Sequence, residues 1–385
     1  MNNLIEVEIN LKNLAHNVEK LKGLLRPPTK FMAVVKANAY GHGMISCARS
    51  AINAGADWLG VVDIKEALAL RDSKIKAPIL VLGYVDPKDF FVAADNNISI
   101  AIVNFEQLGQ LSNGQMAKLL KNKKIKIHLK IETGINRLGF VEENWPKLIK
   151  KLKELPKNII IEGIYSHFAS VEEHDLPYAK KQIDKFKKFK KLFESRYKLK
   201  TKSHKPIYHM AASASAMILP ESHFDMVRCG ISIYGLWPSR ETKTNFQFLI
   251  SNFRLKPVLS YKTKIVQVKE VEKGELVGYG CTYRAPKKME IAVLPVGYYE
   301  GIDRGLSNSG KVLISSQECP IIGRICMNMT VIDISRLNVK PGEEVVLVGE
   351  QGNKEITADD WANRLNTINY EITTRIPEHI PRIYK

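Results

Sequence analysis

Apolar residues recur along the first two thirds of this chain in two rhythms that take turns, short unbroken runs and stretches spaced by three or four. A short alternating strand, Ile5 to Ile9, leads into Leu11, Leu14, Val18, Leu21 and Leu25, one face of a helix that Pro27 and Pro28 end. Strand and helix patterns then alternate. Phe31 to Ala37 precedes a helix reaching Ala54, Trp58 to Val62 one around Glu66 to Arg71, and Ile79 to Gly83 one after Pro87. Ile98 to Val103 precedes a helix with Asn104 as N-cap and Gln107 placed for a capping box, and Ile125 to Ile131 one near Pro146 to Leu155. Ile159 to Tyr165, Pro206 to His209 and Met226 to Tyr234 complete the series, with an exit marked by Pro238. Eight strand-like runs, all but the last followed by helix patterns, predict a parallel (β/α)8 TIM barrel over residues 11–240; a doubly wound open sheet is the alternative. From Lys256 to Gly349 the runs are short, rich in Val, Ile, Thr and Tyr, and cut by Gly or Pro turns, which predicts a mostly β domain over residues 241–385. Thr357, with Asp360 three residues on, caps a helix near the end.

Composition changes this picture little. At 385 residues, 45% hydrophobic and 25% charged, the chain can bury a barrel and a second domain. No segment approaches the ~20 apolar residues that cross a bilayer, so no membrane partner is expected. The start, MNNLIEVEINLKN, lacks the basic opening, apolar core and cleavage site of a signal peptide, which predicts a cytoplasmic protein. Cys47, Cys229, Cys281, Cys319 and Cys326 are odd in number and scattered, which argues against a disulfide framework, a zinc site or any metal. The net charge of +18 is the unusual number. Its densest run, Ala179 to Lys198, spaces Ile183, Phe186, Phe189, Phe193 and Tyr197 as a helix face, so its lysines read as a solvated side rather than a nucleic-acid groove.

In such a barrel the chemistry collects at the C-terminal ends of the strands. Lys36 follows the apolar run of strand one directly, where partial burial would lower its pKa and free the amine for a Schiff base. Tyr40 follows it; Arg137 lies in INRLGF, His167 in YSHFAS, His209 and Ser213 in HMAASAS, and Arg228, Gly230 and Ile231 in MVRCGISIYG. This rim has cations and donors but no carboxylate pair, which disfavours acid and base hydrolysis and suits an anionic ligand bearing a carbonyl. Taken singly, each residue reads equally well as a salt-bridge former, a core histidine or a helix cap. In the β domain, Tyr279 and Met327 read by composition as packing residues.

AVVKANAYGHG, INRLGF, YSHFAS, HMAASAS, MVRCGISIYGL, VGYGCTY, VLPVGYYEG, GRICMNM and a terminal IPRIY fall in the order found in bacterial alanine racemases, and the chain resembles that family from Glu8 to its end. The resemblance implies a pyridoxal 5'-phosphate enzyme that supplies D-alanine for peptidoglycan, and a head-to-tail homodimer with shared active sites. It also implies that residues 1–10 join the β domain. By resemblance Lys36 would hold the cofactor and act as one base, and Tyr279 of the partner subunit as the other. Arg228 would face the pyridine nitrogen, supported by His167; Tyr40, Ser213, Gly230 and Ile231 would contact the phosphate. Arg137 and the backbone of Met327 would meet the substrate carboxylate, Tyr298 would line the entrance, and Lys130 matches a lysine that is carbamylated in some members. Three positions depart from the family pattern: Asn328 where aspartate is usual, Asn136 where glycine is frequent, and Glu378 where some members place a tyrosine. A racemase of another small amino acid such as serine is the nearest rival. A decarboxylase of the same architecture fits less well, because Arg228 and Tyr279 stand where it would place an acid and a cysteine.

Overall fold

Runs such as Phe31 to Val35 have no polar alternation, as a strand covered on both faces requires. In the computed structural model, which describes residues 4–112, 123–171, 176–197 and 205–385, β1 (Ile5–Ile9) precedes a barrel. The barrel strands are β2 (Lys30–Val34), β3 (Trp58–Val61), β4 (Ile79–Val81), β5 (Ser99–Ile102), β6 (Ile125–Lys130), β7 (Ile159–Tyr165), β8 (Ile207–His209) and β9 (Met226–Cys229). Among the described residues these eight pair in parallel and close, β9 returning to β2 with Phe31 opposite Val227. Closure decides against the open sheet. The chain forms two compact units, one comprising residues 14–37 and 44–256, the other residues 1–13, 38–43 and 257–385.

Local chemistry accounts for the helix starts. Asn104 Oδ1 accepts from Gln107 N at 2.9 Å, but the Gln107 side chain reaches Val103 N rather than the cap residue, so the expected box is displaced by one position. Thr357 and Asp360 form the reciprocal pair expected of them, with bonds of 3.0 and 2.8 Å. The helix Leu176–Arg196 buries Ile183, Phe186, Phe189 and Phe193 and turns its lysines outward, Lys188 meeting Glu142 at 2.6 Å. Lys198, the end of that basic run, lies outside the described residues.

The second unit is β-rich: β10 (Leu259–Lys264), β11 (Gln267–Val271), β12 (Leu276–Val277), β13 (Tyr283–Arg284), β14 (Met289–Leu294), β15 (Lys311–Ile314), β16 (Gln317–Pro320), β17 (Thr330–Asp333), β18 (Glu344–Gln351), β19 (Lys354–Ile356) and β20 (Arg382–Tyr384). β1 lies between β10, antiparallel, and β20, parallel. No helix among the described residues is long and apolar enough to cross a membrane.

One segment departs from its expected form. The run read as a strand through Ala37 leaves the sheet at Val34, and Ala37, Asn38, Ala39 and Tyr40 then take φ of 52°, 51°, 55° and 53°, a left-handed turn. Such backbone costs roughly 1–2 kcal/mol per L-residue, so it persists only where neighbours hold it. His42, fully buried, has its Nδ1 2.9 Å from Ala39 O and 3.0 Å from Tyr40 O. Arg382 donates to Gly41 O as well as to the carbonyls of Ile376, Pro377 and Ile380, which ties the end of the chain to the turn.

Candidate active site

The barrel strands deliver their polar residues to one end because each strand runs the same way. Lys36 stands two residues beyond β2, and the amide that follows it is held by Glu66, whose carboxylate accepts from Ala37 N at 2.6 Å and Val62 N at 2.9 Å. Burial, and then the charge of Arg137, lower the Lys36 pKa, with Glu66 opposing. Lys130 closes β6, its Nζ 5.6 Å from the centre of the Tyr165 ring; burial, Arg137 and Arg228 bring it down to about 8. Arg137 sits in the loop after β6, where Glu132 accepts from its backbone N–H at 3.2 Å and from Gly134 N at 2.5 Å.

Arg228, on β9, is 5% exposed. It donates to His209 Nδ1 at 2.9 Å, Ser166 O at 2.9 Å, Met210 O at 3.0 Å and His167 Nδ1 at 3.2 Å, all of them uncharged acceptors. Burial, and then Arg228 itself, press both histidines well below their ordinary pKa, so both rings are neutral and can accept. Burial also draws Arg228 down to about 10, which leaves it charged at neutral pH. Ser213 opens the helix Ser213–Ile218, and its hydroxyl accepts from Gly230 N at 3.0 Å, which joins the two glycine- and serine-bearing turns; Ile231 begins the next turn.

Lys36, Lys130, Arg137, Arg228, His167, Ser213, Gly230 and Ile231 therefore lie in the barrel unit, and Tyr40 in the other, its ring 6.0 Å from that of Tyr370. In the C-terminal unit, Tyr279 is 73% exposed, between Gly278 and Gly280 at φ of 75° and 70°. At these angles an L side chain is strained, so the glycines of VGYGCTY turn the chain around an outward tyrosine. Tyr298 and Met327 are also exposed.

Two of the three departing residues, Asn328 and Asn136, have local explanations. Asn328 Nδ2 donates at 2.6 Å to Glu300, whose other oxygen accepts from Gly297 N at 2.8 Å. Aspartate at 328 would press two carboxylates together, so the amide suits the buried glutamate beneath it. Asn136 has φ of 54°, a conformation that asparagine tolerates better than most residues, so it keeps the turn that glycine would make. Glu378 is exposed and acts at a distance on Arg382. Sequence reading passed over Glu66, Ser166, His128 and Glu162; only His128 left a sign, two positions before Lys130 on the same face of a strand.

A closed parallel barrel with a desolvated lysine past its first strand and a buried, neutrally solvated arginine on its last is equipped for an anionic, carbonyl-bearing cofactor. The descriptions "Alanine racemase, N-terminal domain" and "Alanine racemase, C-terminal domain" match residues 9–238 and 258–384. The chain belongs to the alanine racemase family of pyridoxal phosphate-dependent amino-acid racemases. It is 40% identical to the alanine racemase of Leptospira interrogans serogroup Icterohaemorrhagiae, over 98% of this chain and 95% of that one. The crystal structure of alanine racemase from Bacillus anthracis with bound L-Ala-P is similar with a TM-score of 0.90 at 34% identity, over 100% of this chain and 96% of that one. A histidine racemase from Leuconostoc mesenteroides is also similar, with a TM-score of 0.86 at 28% identity, over 100% of this chain and 98% of that one.

Proposed function

We propose that the protein interconverts L- and D-alanine with two opposed bases, Lys36 and Tyr279 of the partner subunit, and so supplies D-alanine for peptidoglycan. The observation that carries the reading is the cationic cluster at the barrel rim. Lys36, Lys130, Arg137 and Arg228 act on one another through space and outnumber the carboxylates of Glu66 and Glu132 that oppose them, and the phosphate and substrate carboxylate would supply further anions. Bound pyridoxal 5'-phosphate would supply an electron sink that acidifies the α-carbon.

The chain's own residues do the rest. Lys36, its amine favoured by burial, would hold the cofactor and move a proton on one face of the α-carbon. Tyr279 would move a proton on the other, and two bases on opposite faces invert the centre where one would tend to retain it. Tyr40, Ser213, Gly230 and Ile231 would hold the phosphate. Arg228, steadied by His167 and His209, would donate to the ring nitrogen without protonating it, since a guanidinium keeps its protons. Arg137 and the Met327 backbone would hold the substrate carboxylate, and Tyr298 would line the entrance. Exposed Tyr279, Tyr298, Tyr299, Met327 and Met329 on the C-terminal unit support a homodimer in which a second copy covers them.

Single L-amino acids incubated with the holoenzyme in deuterated water test this. Alanine should lose its α-proton and yield the D-isomer faster than serine or histidine; a silent alanine, or a faster rival, would sink the reading. Lys130, at about 8, carries an appreciable free-amine fraction at neutral pH, and we propose that it reacts with carbon dioxide to give a carbamate that steadies Arg137. Labelled bicarbonate should give a carbamate carbon signal that grows between about pH 7 and 9, as the lysine loses its proton. The signal should be absent from Lys130→Ala; if it persists there, the assignment fails.

A further inference from the structure

Barrel interiors of this type are filled mainly by branched apolar side chains. Here a polar line crosses the core. Arg228 Nη1 donates to His209 Nδ1 at 2.9 Å, His209 Nε2 lies 2.8 Å from His128 Nδ1, and His128 Nε2 lies 3.4 Å from Glu162 Oε2. The last step is an ion-contact distance without hydrogen-bond alignment. Glu162 is seated in turn by the Ser99 hydroxyl and by Lys126 Nζ at 3.4 Å. Both histidines are fully buried. Buried polar groups persist when they are paired, and a line of them ties distant residues to one arrangement.

Two backbone features make room for it. Between β6 and β7, Ile127 pairs with Ile161 but His128 pairs with Gly163, so Glu162 is an extra residue in its strand. Such a bulge re-aims a side chain. The next residue, Gly163, lies against the His128 ring, and a Cβ there would collide with Nδ1. A bulge and a glycine side by side both weaken strand pairing, and both serve one histidine.

The tautomers follow from donor and acceptor counting. A guanidinium has only donors, so His209 Nδ1 must accept. That neutral ring then carries its proton on Nε2 and donates to His128 Nδ1, which leaves the His128 proton on Nε2, facing Glu162. Burial works to raise the Glu162 pKa, but the His128 contact, the Ser99 hydroxyl and Lys126 outweigh it and hold the carboxyl below its ordinary value, so an acceptor stands there at neutral pH.

We propose that Glu162 is a positioning residue for Arg228: the guanidinium sets the tautomers from one end of the line, and Glu162 at the other is the acceptor that the His128 Nε2 proton faces. Without it a buried N–H is left unpaired, and both rings are drawn toward tautomers that no longer hold the guanidinium in place for the cofactor ring nitrogen. The assignment rests on the reading that Arg228 faces that nitrogen. Glu162 also supplies the anion nearest the end of the line, opposite the buried guanidinium.

Nitrogen-15 histidine NMR of the holoenzyme, with the pH profile of its visible absorbance, tests the proposal. In the native protein both rings should show protonated Nε2 and bare Nδ1. Glu162→Leu should mix the tautomers of His128 and His209, leave His16 and His42 unmoved, displace the absorbance profile, and lower kcat roughly tenfold with less change in KM. Glu162→Gln keeps a carbonyl acceptor and should restore the tautomers. If Glu162→Leu does not fold, Ser99→Ala combined with Lys126→Met unseats the carboxylate and should give the same readout. Unmoved tautomers, or a glutamine variant that behaves like leucine, overturn the proposal, as do mixed tautomers with an unshifted absorbance profile. A native enzyme with fixed tautomers but no racemisation would sink the functional reading and leave the histidine line standing.

Discussion

Tyr279→Phe should lower alanine racemisation by about 10²–10⁴-fold, the usual loss for a removed general base, while leaving α-proton exchange from one enantiomer in place. The hydroxyl is the whole difference. The Tyr279 side chain is 73% exposed in a turn whose shape Gly278 and Gly280 set, so losing one oxygen leaves the fold and the turn as they were. Lys36 would still hold the cofactor, and the visible absorbance should be unchanged. It would also still exchange the proton on its own face. Measuring deuterium uptake separately into L- and D-alanine distinguishes the outcomes: exchange should survive for one isomer and fail for the other. Equal losses for both would mean that Tyr279 positions the substrate instead of moving a proton.

Arg382→Ala should be the most damaging change outside the rim. The Arg382 guanidinium donates to four carbonyls, those of Gly41, Ile376, Pro377 and Ile380, and charge-assisted bonds are worth roughly 1.5–3 kcal/mol each but do not add. A net loss of about 3 kcal/mol, or roughly 4 °C in Tm for a chain of this length, follows from those values. The loss should be local before it is global. Gly41 closes the left-handed turn, and Gly43 is so close to Tyr384 that a Cβ would overlap its hydroxyl. Amide exchange over residues 39–43 should therefore speed up ahead of that of β10. Arg382→Lys should recover little, because an ammonium cannot fork among four acceptors. A variant with native Tm and native exchange would show that the carbonyls are satisfied without the guanidinium.

The barrel was readable because most of its strands carry an apolar run and its helices a face of period near 3.6, signals that depend only on neighbours in the chain; β6, β7 and β9 are broken within, by Lys126, His128, Glu162 and Arg228. The rim was partly readable for the same reason: Lys36, Arg137, His167, Ser213 and Arg228 each follow or end a recognisable run. The left-handed turn was not, since Ala, Asn and Tyr carry no local preference for positive φ strong enough to announce it. It exists because His42 and Arg382 take up its carbonyls, one of them 341 residues away. Asn328 could be read from sequence only as a lost charge, and its partner Glu300 supplied the reason for the amide.

Hydropathy rhythm by itself thus determined eight alternating strand and helix units followed by a β-rich domain, the pairing of β9 with β2 decided that the units close into a barrel, and the order of short motifs determined the family. Tertiary structure alone decided that Arg228 is surrounded by neutral acceptors, that a bulge in β7 turns Glu162 toward His128, and that Lys36 is followed by a turn of the wrong hand. Periodic burial is written into each segment because it concerns one element and water. Hydrogen bonds across the barrel depend on which strands become neighbours and in which register, and no single segment carries that information.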